Sequence, residues 1–211
     1  MCGECRCGDT EKVSVEIKES ILSSNDAIAQ HNRDHFIESS ICAVNLMGSP
    51  GAGKTAVLEA TSRRFSGKRR LGALAGDLET DRDAERLRAA VITAAGITTG
   101  SACHLDARMI HRALHEFPWQ KLDYLFIENV GNLVRPAIYD LGQSANIVAL
   151  SVTEGEDKPF KYPVMFRNAD LVLLTKTDLL PYLSGFSVAA VEDALARVMP
   201  VPEVISVSAL T

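Results

Sequence analysis

The chain has 211 residues, 46% of them hydrophobic, which is enough for one α/β domain with a filled core and a short appendage. Its 22 basic and 27 acidic residues give a net charge of -5, which argues against non-specific binding to nucleic acid. No apolar run reaches the roughly 18 residues of a membrane span, and the N-terminus lacks the pattern of a secretory signal. We therefore expect a cytoplasmic protein that binds neither membrane nor nucleic acid.

Three parts follow one another along the chain. Residues 1–10 hold three of the five cysteines (Cys2, Cys5 and Cys7), which in a reducing compartment are thiols or metal ligands rather than disulfides. Residues 11–40 form a polar lead-in whose apolar positions favour a helix that packs on the main domain. Residues 41–211 then alternate short apolar runs with longer amphipathic ones. We interpret the three parts as a metal-binding tip, a helical lead-in and a nucleotide-binding domain.

The alternation in the third part predicts a mostly parallel sheet with helices on both faces. Strands are predicted over 41–47, 71–76, 122–127, 146–152, 170–175 and 203–207. Helices are predicted over 54–65, 81–94, 105–117 and 187–198. Ligands of such a sheet bind beyond the carboxyl ends of the strands, so the residues that follow each strand carry the functional argument.

A phosphate-binding loop of the G-x-x-x-x-G-K-[ST] type, Gly48 to Thr55, follows the first predicted strand. Lys54 can reach the terminal phosphates, and the Thr55 hydroxyl can ligate Mg²⁺. The loop and the start of the next helix present backbone N–H groups to phosphate oxygens at Gly51, Ala52, Gly53, Lys54, Thr55 and Ala56. A glycine-rich turn that binds nothing is the alternative, but it leaves the Lys-Thr pair without a purpose. The loop predicts an α/β P-loop NTPase fold.

Carboxylates follow two further strands. We expect Asp77, after strand 71–76, to hold Mg²⁺ opposite Thr55 rather than only to cap the next helix, whereas Asp81 and Asp83 are interpreted as helix-capping residues. Glu128, after strand 122–127, can bind Mg²⁺ or position a water molecule. Gly131 lets the backbone approach the γ-phosphate, so that this segment can sense hydrolysis, although a polar turn is the alternative. Lys54, Asp77 and Glu128 are thus the predicted catalytic residues.

The last two predicted strands end in residues that suit guanine. Asp178 offers two acceptor oxygens to the N1–H and 2-amino groups of the base, and Lys176 can lay its aliphatic stem over the base plane. The backbone at Ser208 and Ala209 can donate to guanine O6. Together these residues predict that the nucleotide is GTP or GDP.

With these residues in place, the chain closely resembles the HypB family of hydrogenase nickel-incorporation GTPases. The resemblance extends over essentially the whole chain and rests on the segments 48–55, 76–81, 103–107, 128–134, 151–159 and 176–181. It implies a GTPase that forms a nucleotide-dependent homodimer and helps to deliver Ni²⁺ to the large subunit of a [NiFe] hydrogenase. It also implies a HypA-type nickel chaperone as a partner.

The resemblance places a metal site at Cys103 and His104, whose thiolate and imidazole suit Ni²⁺ or Zn²⁺. Two ligands do not complete a site, and family members place this one at the dimer interface. A buried cysteine beside a capping histidine is the alternative. Where the family has a further cysteine, this chain has Arg135, which cannot ligate a metal and opposes a dication. His111 and His115, further along, could compensate as metal ligands, but we interpret them as surface residues of a helix.

Two other departures from the family pattern bear on the expected sites. The tip resembles a Cys-x-x-Cys-Gly-Cys nickel-binding tip, in which Cys2, Cys5 and Cys7 would be ligands, but Arg6 replaces the glycine. A thiol-rich terminus without a specific metal is the alternative. Thr175 replaces the usual asparagine before Lys176, from which we expect the loss of one bond that braces the base pocket.

The sequence therefore predicts a slow GTPase that acts as a switch in nickel insertion, since neither a strong internal base nor an arginine finger is evident. Two other functions fit parts of the pattern. A small-molecule kinase on the same fold would transfer phosphate to a metabolite. A non-catalytic metal-binding or scaffold protein would keep the GTPase fold with a degenerate interface metal site.

Overall fold

The computed structural model describes residues 7–77, 82–100 and 104–210, with the side chains of the first helix described from Ser20 onward. Cys2, Cys5 and Cys103 lie outside the described residues, and Cys7 is described only in its backbone. The first helix begins at Cys7 and thus runs through residue 10. The metal-binding role of the tip stays a prediction.

Seven parallel strands form one sheet in the order β3-β2-β4-β1-β5-β6-β7. The strands are β1 (Cys42–Met47), β2 (Leu71–Asp77), β3 (Thr93–Thr98), β4 (Tyr124–Glu128), β5 (Ala145–Ser151), β6 (Leu171–Thr175) and β7 (Val204–Ser206). The helices are α1 (Cys7–Glu38), α2 (Lys54–Phe65), α3 (Arg82–Ala89), α4 (Ala107–Leu114), α5 (Lys158–Lys161), α6 (Pro163–Arg167) and α7 (Val188–Val198). Short 3-10 turns span Trp119–Lys121, Arg135–Ala137 and Thr177–Tyr182. The predicted α/β fold with a parallel sheet is confirmed.

Helices cover both faces of the sheet. Successive residues of a strand point to opposite sides, so each strand packs against both layers of helices. In β2, Leu71, Ala73 and Ala75 pack in one cluster with residues of α2 and α3. Leu74 of the same strand packs in another cluster that includes Phe36 of α1 together with residues of α4. This two-sided burial gives parallel strands their continuous apolar sequence and leaves only their carboxyl ends for ligands.

One predicted element is wrong. The helix predicted over 81–94 ends at Ala89, and Thr93–Thr98 forms the edge strand β3. The segment is rich in alanine, which favours a helix, and an edge strand shows no apolar alternation because it is partly exposed. Val91, 91% exposed and with φ of 62°, reverses the chain between the two elements. Pairing with β2 outweighs the local helix propensity. The short helices α5 and α6 were also not predicted.

The predicted lead-in helix forms, and both apolar and amide side chains hold it on the domain. Its apolar residue Phe36 is 1% exposed, whereas Ile21 is 51% exposed. Buried Asn25 accepts a bond from Ala107 N–H and donates to the Asp140 carbonyl, at 2.9 and 2.8 Å. Asn32, fully buried, lies two turns further along the same face of α1. Within the described ranges, no helix has both the length and the apolar character to cross a membrane.

Candidate active site

The phosphate-binding loop connects β1 to α2, as predicted. Gly53, with φ of 91°, has the left-handed backbone conformation that residues with a Cβ rarely adopt. The segment after β4 reaches this loop at Gly131, where an added Cβ would lie 2.7 Å from Cγ of Pro50. The absence of a side chain at residue 131 therefore permits the close approach of the predicted switch segment to the loop.

A cavity of about 480 Å³ opens at the carboxyl ends of β1, β2 and β4. It brings together eight residues that the sequence predicts at the phosphates or at Mg²⁺: Gly51, Gly53, Lys54, Thr55, Ala56, Asp77, Glu128 and Gly131. The predicted base-binding residues do not line this cavity. It is the phosphate end of the expected nucleotide site.

The Thr55 hydroxyl lies between two carboxylates that line the cavity. Its Oγ1 is 2.8 Å from Oε1 of Glu128 and 3.1 Å from Oδ1 of Asp83. Because a hydroxyl carries a single proton, Thr55 donates to only one of them at a time. The oxygen of the other carboxylate then faces a lone pair of the Thr55 hydroxyl. A bound cation would relieve this repulsion.

The pKa of Glu128 is strongly shifted by its position in the cavity. Its burial raises the pKa to about 7, while the bond from Thr55 and the charge of Lys54 act in the opposite direction. Its Oε2 atom is buried and has no hydrogen-bond partner among the described residues. An unpaired carboxylate oxygen beside a hydroxyl and a second carboxylate is the set of hard oxygen donors that Mg²⁺ prefers. The residues present thus fit this ion.

Lys54 is folded back onto the loop that precedes it. Its Nζ donates to the carbonyls of Gly48 and Ser49, at 3.2 and 3.3 Å. Burial lowers its pKa, opposed by the nearby charges of Glu128, Asp83 and Glu154. A phosphate group in the cavity would give this buried ammonium an anionic partner in place of two carbonyls.

Sequence reasoning missed two charged residues that line the cavity. Asp83 lies in the first turn of α3, as its interpretation as a helix-capping residue requires, but its carboxylate also reaches Thr55. Arg86, one turn later, lines the same cavity and pairs with Glu59 at 3.0 Å. The i,i+3 spacing of Asp83 and Arg86 puts both side chains on one face of α3. This spacing could have indicated that both reach the same cavity.

The predicted base-binding residues lie together after β6 and β7. The Ser208 hydroxyl donates to Oδ1 of Asp178 at 2.8 Å and so orients the carboxylate. Lys176 has a left-handed backbone conformation, with φ of 58°. The carbonyl of Ala209 accepts from Arg63 at 3.2 Å, which ties this segment to α2. The grouping agrees with the predicted base subsite, and its role stays a prediction.

Thr175, where the family pattern has asparagine, still connects β6 to the phosphate-binding loop. Its buried hydroxyl donates to the carbonyl of Ala52 at 2.6 Å. A hydroxyl makes this bond because the acceptor is a backbone carbonyl within direct reach. The bond joins the predicted base-binding residues to the phosphate-binding loop, and the expectation that one further bond is lost stays a prediction.

His104 is half-buried next to Arg135. Its Nδ1 atom is buried without a hydrogen-bond partner among the described residues, and its ring lies 4.2 Å from that of Tyr139. Burial lowers its pKa, and the charge of Arg135 lowers it further. A neutral imidazole with an unpaired nitrogen suits a metal ligand, whereas the neighbouring guanidinium opposes a dication. Cys103, its expected fellow ligand, lies outside the described residues.

A hydrogen bond connects the cavity to the His104 segment. Asn129, directly after Glu128, accepts a bond from the backbone N–H of Leu105 at 3.3 Å. Its amide also donates to Asn45 at 3.1 Å, so that its orientation is fixed from both sides. Leu105 is fully buried and packs against Gly76, directly before Asp77. The ends of both carboxylate-bearing strands therefore contact the residue that follows His104.

Comparison with known proteins places this geometry in a family. The model of the CobW/HypB/UreG nucleotide-binding domain matches residues 42–206. The hydrogenase maturation factor HypB of Azotobacter chroococcum is 48% identical over 202 residues, which cover 96% of this chain and 66% of that protein. The hydrogenase/urease maturation factor HypB of Helicobacter hepaticus is 49% identical, over 88% of this chain and 77% of that protein. The chain thus spans slightly less than two thirds of the Azotobacter relative.

Solved structures agree with these matches. HypB from Helicobacter pylori, in complex with nickel, superposes with a TM-score of 0.84 at 40% identity, over 89% of this chain and 88% of that one. The signal recognition particle receptor FtsY of Elizabethkingia anophelis, with GDP, has a TM-score of 0.55 at 17% identity, which shows the fold alone. The chain therefore belongs to the HypB family of hydrogenase maturation factors, within the CobW/HypB/UreG nucleotide-binding proteins.

Proposed function

We propose that the chain is a Mg²⁺-dependent GTPase of the cytoplasm that acts as a switch in delivering Ni²⁺ to the large subunit of a [NiFe] hydrogenase. We further propose that it works as a nucleotide-dependent homodimer with a HypA-type nickel chaperone. The observation that carries the proposal is the convergence of Thr55, Asp83 and Glu128, with an unpaired oxygen on Glu128, inside the cavity of the phosphate-binding loop. The nickel-bound HypB of Helicobacter pylori supports the metal part.

The residues of the cavity divide the work on the triphosphate. Lys54 exchanges its two carbonyl acceptors for β- and γ-phosphate oxygens. Thr55, Asp77, Asp83 and Glu128 are the residues that would hold Mg²⁺, which when bound neutralises charge on the β- and γ-phosphates. The backbone at Gly131 approaches the γ-phosphate and loses that contact on hydrolysis. We expect intrinsic turnover to be slow, as for other GTPases that act without a partner's assistance.

The preference for guanine comes from Asp178. Its carboxylate accepts from the N1–H and the 2-amino group of guanine, whereas adenine offers an acceptor at N1 and repels it. Ser208 holds the carboxylate in one orientation, which reduces the conformational entropy lost when the base binds. The aliphatic stem of Lys176 covers the base plane.

Nucleotide and nickel are coupled through Asn129 and Leu105. A change at Glu128 or Gly131 on hydrolysis moves the intervening Asn129, whose side chain holds the backbone of Leu105. Leu105 follows His104, so the position of the imidazole depends on the state of the cavity. The coupling free energy is then the difference in metal-binding free energy between the two nucleotide states.

Arg135 favours a second candidate function, a non-catalytic metal-binding or scaffold protein with a degenerate interface metal site. Its charge lowers the pKa of His104 and opposes a metal ion there. Such a protein would bind nucleotide without turnover, or metal independently of nucleotide.

Hydrolysis of GTP and ATP by the purified chain with Mg²⁺ tests the proposal. Lys54→Ala is expected to abolish triphosphate binding, and Asp178→Asn to reduce the preference for GTP over ATP by at least about tenfold, because it replaces one acceptor by a donor. Asp193→Asn, at an exposed position of α7, is the matched control. Tight GTP binding by the Lys54 variant, or an unchanged base preference of the Asp178 variant, contradicts the proposal.

A further inference from the structure

Four of the chain's five histidines lie close together where α1 packs against α4. His31 and His35 are one turn apart on α1, and their Nε2 atoms are 3.0 Å apart. His111 of α4 faces them, with its ring centroid 5.1 Å from that of His31. One ring nitrogen from each of these three histidines lies within 4.8 Å of the other two. His115 contacts His111 but is not part of this group of three.

The buried side chain of Asn32 fixes the tautomer of His111. Its amide nitrogen donates to the carbonyls of Ala107 and Leu141, at 2.9 and 3.1 Å, so its oxygen must point the other way. That oxygen is 3.2 Å from Nδ1 of His111. An amide oxygen only accepts, so Nδ1 of His111 carries the proton and Nε2 keeps its lone pair. Histidines that bind metals are oriented by such a bond to the other ring nitrogen.

The other two histidines also suit metal binding. Zn–N bonds are about 2.0–2.1 Å, so two imidazole nitrogens on one tetrahedral ion lie about 3.3 Å apart, close to the separation of the His31 and His35 nitrogens. Neutral imidazole is the form that binds a metal. His31 is exposed, so an ion can reach the group from solvent.

We propose that His31, His35 and His111 bind one divalent transition-metal ion of the Zn²⁺ or Ni²⁺ type, with solvent completing the coordination. Three imidazoles favour such borderline ions over Mg²⁺ or Ca²⁺, which prefer oxygen ligands. The ion joins α1 to α4, two elements that otherwise meet through buried amides and apolar contacts. This site uses none of the ligands expected at the N-terminal tip or at Cys103 and His104, and it does not depend on the proposed function.

The test removes the other expected ligands and leaves the full chain otherwise intact. In a background with Cys2, Cys5, Cys7 and Cys103 replaced by Ser and His104→Ala, calorimetry with Zn²⁺ and visible absorption with Co²⁺ are expected to show one ion per chain. His31→Gln and His35→Gln should each weaken binding at least about tenfold, since each removes one of three protein ligands. His115→Gln, at the exposed residue that caps the C-terminus of α4, is the matched control and should change the affinity less than about twofold.

Two readouts separate lost binding from lost folding. Because His31 is exposed, the metal-free melting temperature of the His31 variant should match that of the background, whereas Zn²⁺ should raise it only in the background. Nitrogen NMR should find the proton of His111 on Nδ1 and a shift of Nε2 when Zn²⁺ is added. No bound ion in the background, unchanged affinity in the His31 variant, or an equal loss in the His115 variant would overturn the proposal.

Discussion

At the scale of single residues, the carboxyl group of Glu128 sets the electrostatics of the cavity. It is 3% exposed, and burial raises its pKa from 4.5 to about 7. The folded chain therefore holds a proton that the unfolded chain releases as the pH rises above 4.5. Stability falls as the pH rises through this interval, and the full cost is present above pH 7. In the absence of nucleotide, the ionised carboxylate destabilises the fold.

Glu128→Gln is expected to stabilise the nucleotide-free protein at pH 8 by on the order of 1–3 kcal/mol, because it removes the buried charge but keeps an acceptor for Thr55. At pH 4.5 the two proteins should have nearly the same free energy of unfolding. Urea denaturation at both pH values measures the difference. A variant less stable than the parent protein at pH 8 would contradict the assigned cost of burial.

We expect the carboxylate of Asp83 to contribute to Mg²⁺ binding. Asp83→Asn removes a charged oxygen 3.1 Å from the Thr55 hydroxyl, and should raise the Mg²⁺ concentration for half-maximal GTP hydrolysis about tenfold. Glu85→Gln, an exposed acidic residue of the same helical turn, is the matched control and should have no effect. Magnesium titrations of the hydrolysis rate make the comparison. If both variants need the same Mg²⁺ concentration for half-maximal hydrolysis, Asp83 only caps the helix.

At the scale of elements, β2 and β4 end against one residue of the segment before α4. Leu105 packs on Gly76 and donates its backbone N–H to Asn129. Both strands also carry a carboxylate into the cavity, at Asp77 and Glu128. The predicted switch therefore lies where the ends of β2 and β4 contact the residue that follows His104.

Asn129→Ala is expected to weaken the coupling between nucleotide and nickel while GTP still binds, because it removes the bond to Leu105 but no phosphate contact through a side chain. The variant should also lose about 1–3 kcal/mol of stability, since the side chain of Asn45 and the Leu105 N–H lose a buried partner. Asn168→Ala, an exposed amide bonded to the Ala137 carbonyl, is the control. Nickel titrations with each nucleotide measure the coupling. Unchanged coupling in the Asn129 variant would show that the hydrogen bond between Asn129 and Leu105 does not carry the coupling.

The sequence predicted the elements whose pattern is local and missed those that depend on tertiary partners. The phosphate-binding loop and the carboxylates after β2 and β4 follow from motif and strand order. The edge strand β3 does not, because its alanine-rich sequence becomes a strand only by pairing with β2. The buried amides of Asn25 and Asn32 look like surface residues of a polar helix until their acceptors on other segments are known.

The same distinction holds for the functional residues. Asp83 was interpreted as a capping residue because the approach of α3 to Thr55 is a tertiary contact. His111 was interpreted as a surface residue because the sequence does not reveal that α1 brings His31 and His35 to it. The bond from Thr175 to the Ala52 carbonyl is also a tertiary contact, which the sequence does not reveal.

At the scale of the whole molecule, one parallel sheet carries the phosphate cavity, the predicted base residues and the His104 segment along the same edge. This arrangement suits a protein in which binding of GTP is transmitted to a metal site by short connections rather than by movement of domains. We propose that the nucleotide in the cavity controls the affinity for nickel at His104. Homodimerisation, which the family resemblance implies, would bring two such segments together.

The most direct test measures Ni²⁺ affinity at the His104 site with Mg²⁺-GDP and with a Mg²⁺-bound non-hydrolysable GTP analogue. The chain used has Cys2, Cys5 and Cys7 replaced by Ser, and the same chain with His104→Ala defines binding elsewhere, including at the proposed histidine site. We predict that affinity at the His104 site differs between the two nucleotides by at least about fivefold, the lower end of usual allosteric coupling. Equal affinity with both nucleotides, or no binding lost with His104→Ala, would contradict control of nickel at His104 by the nucleotide.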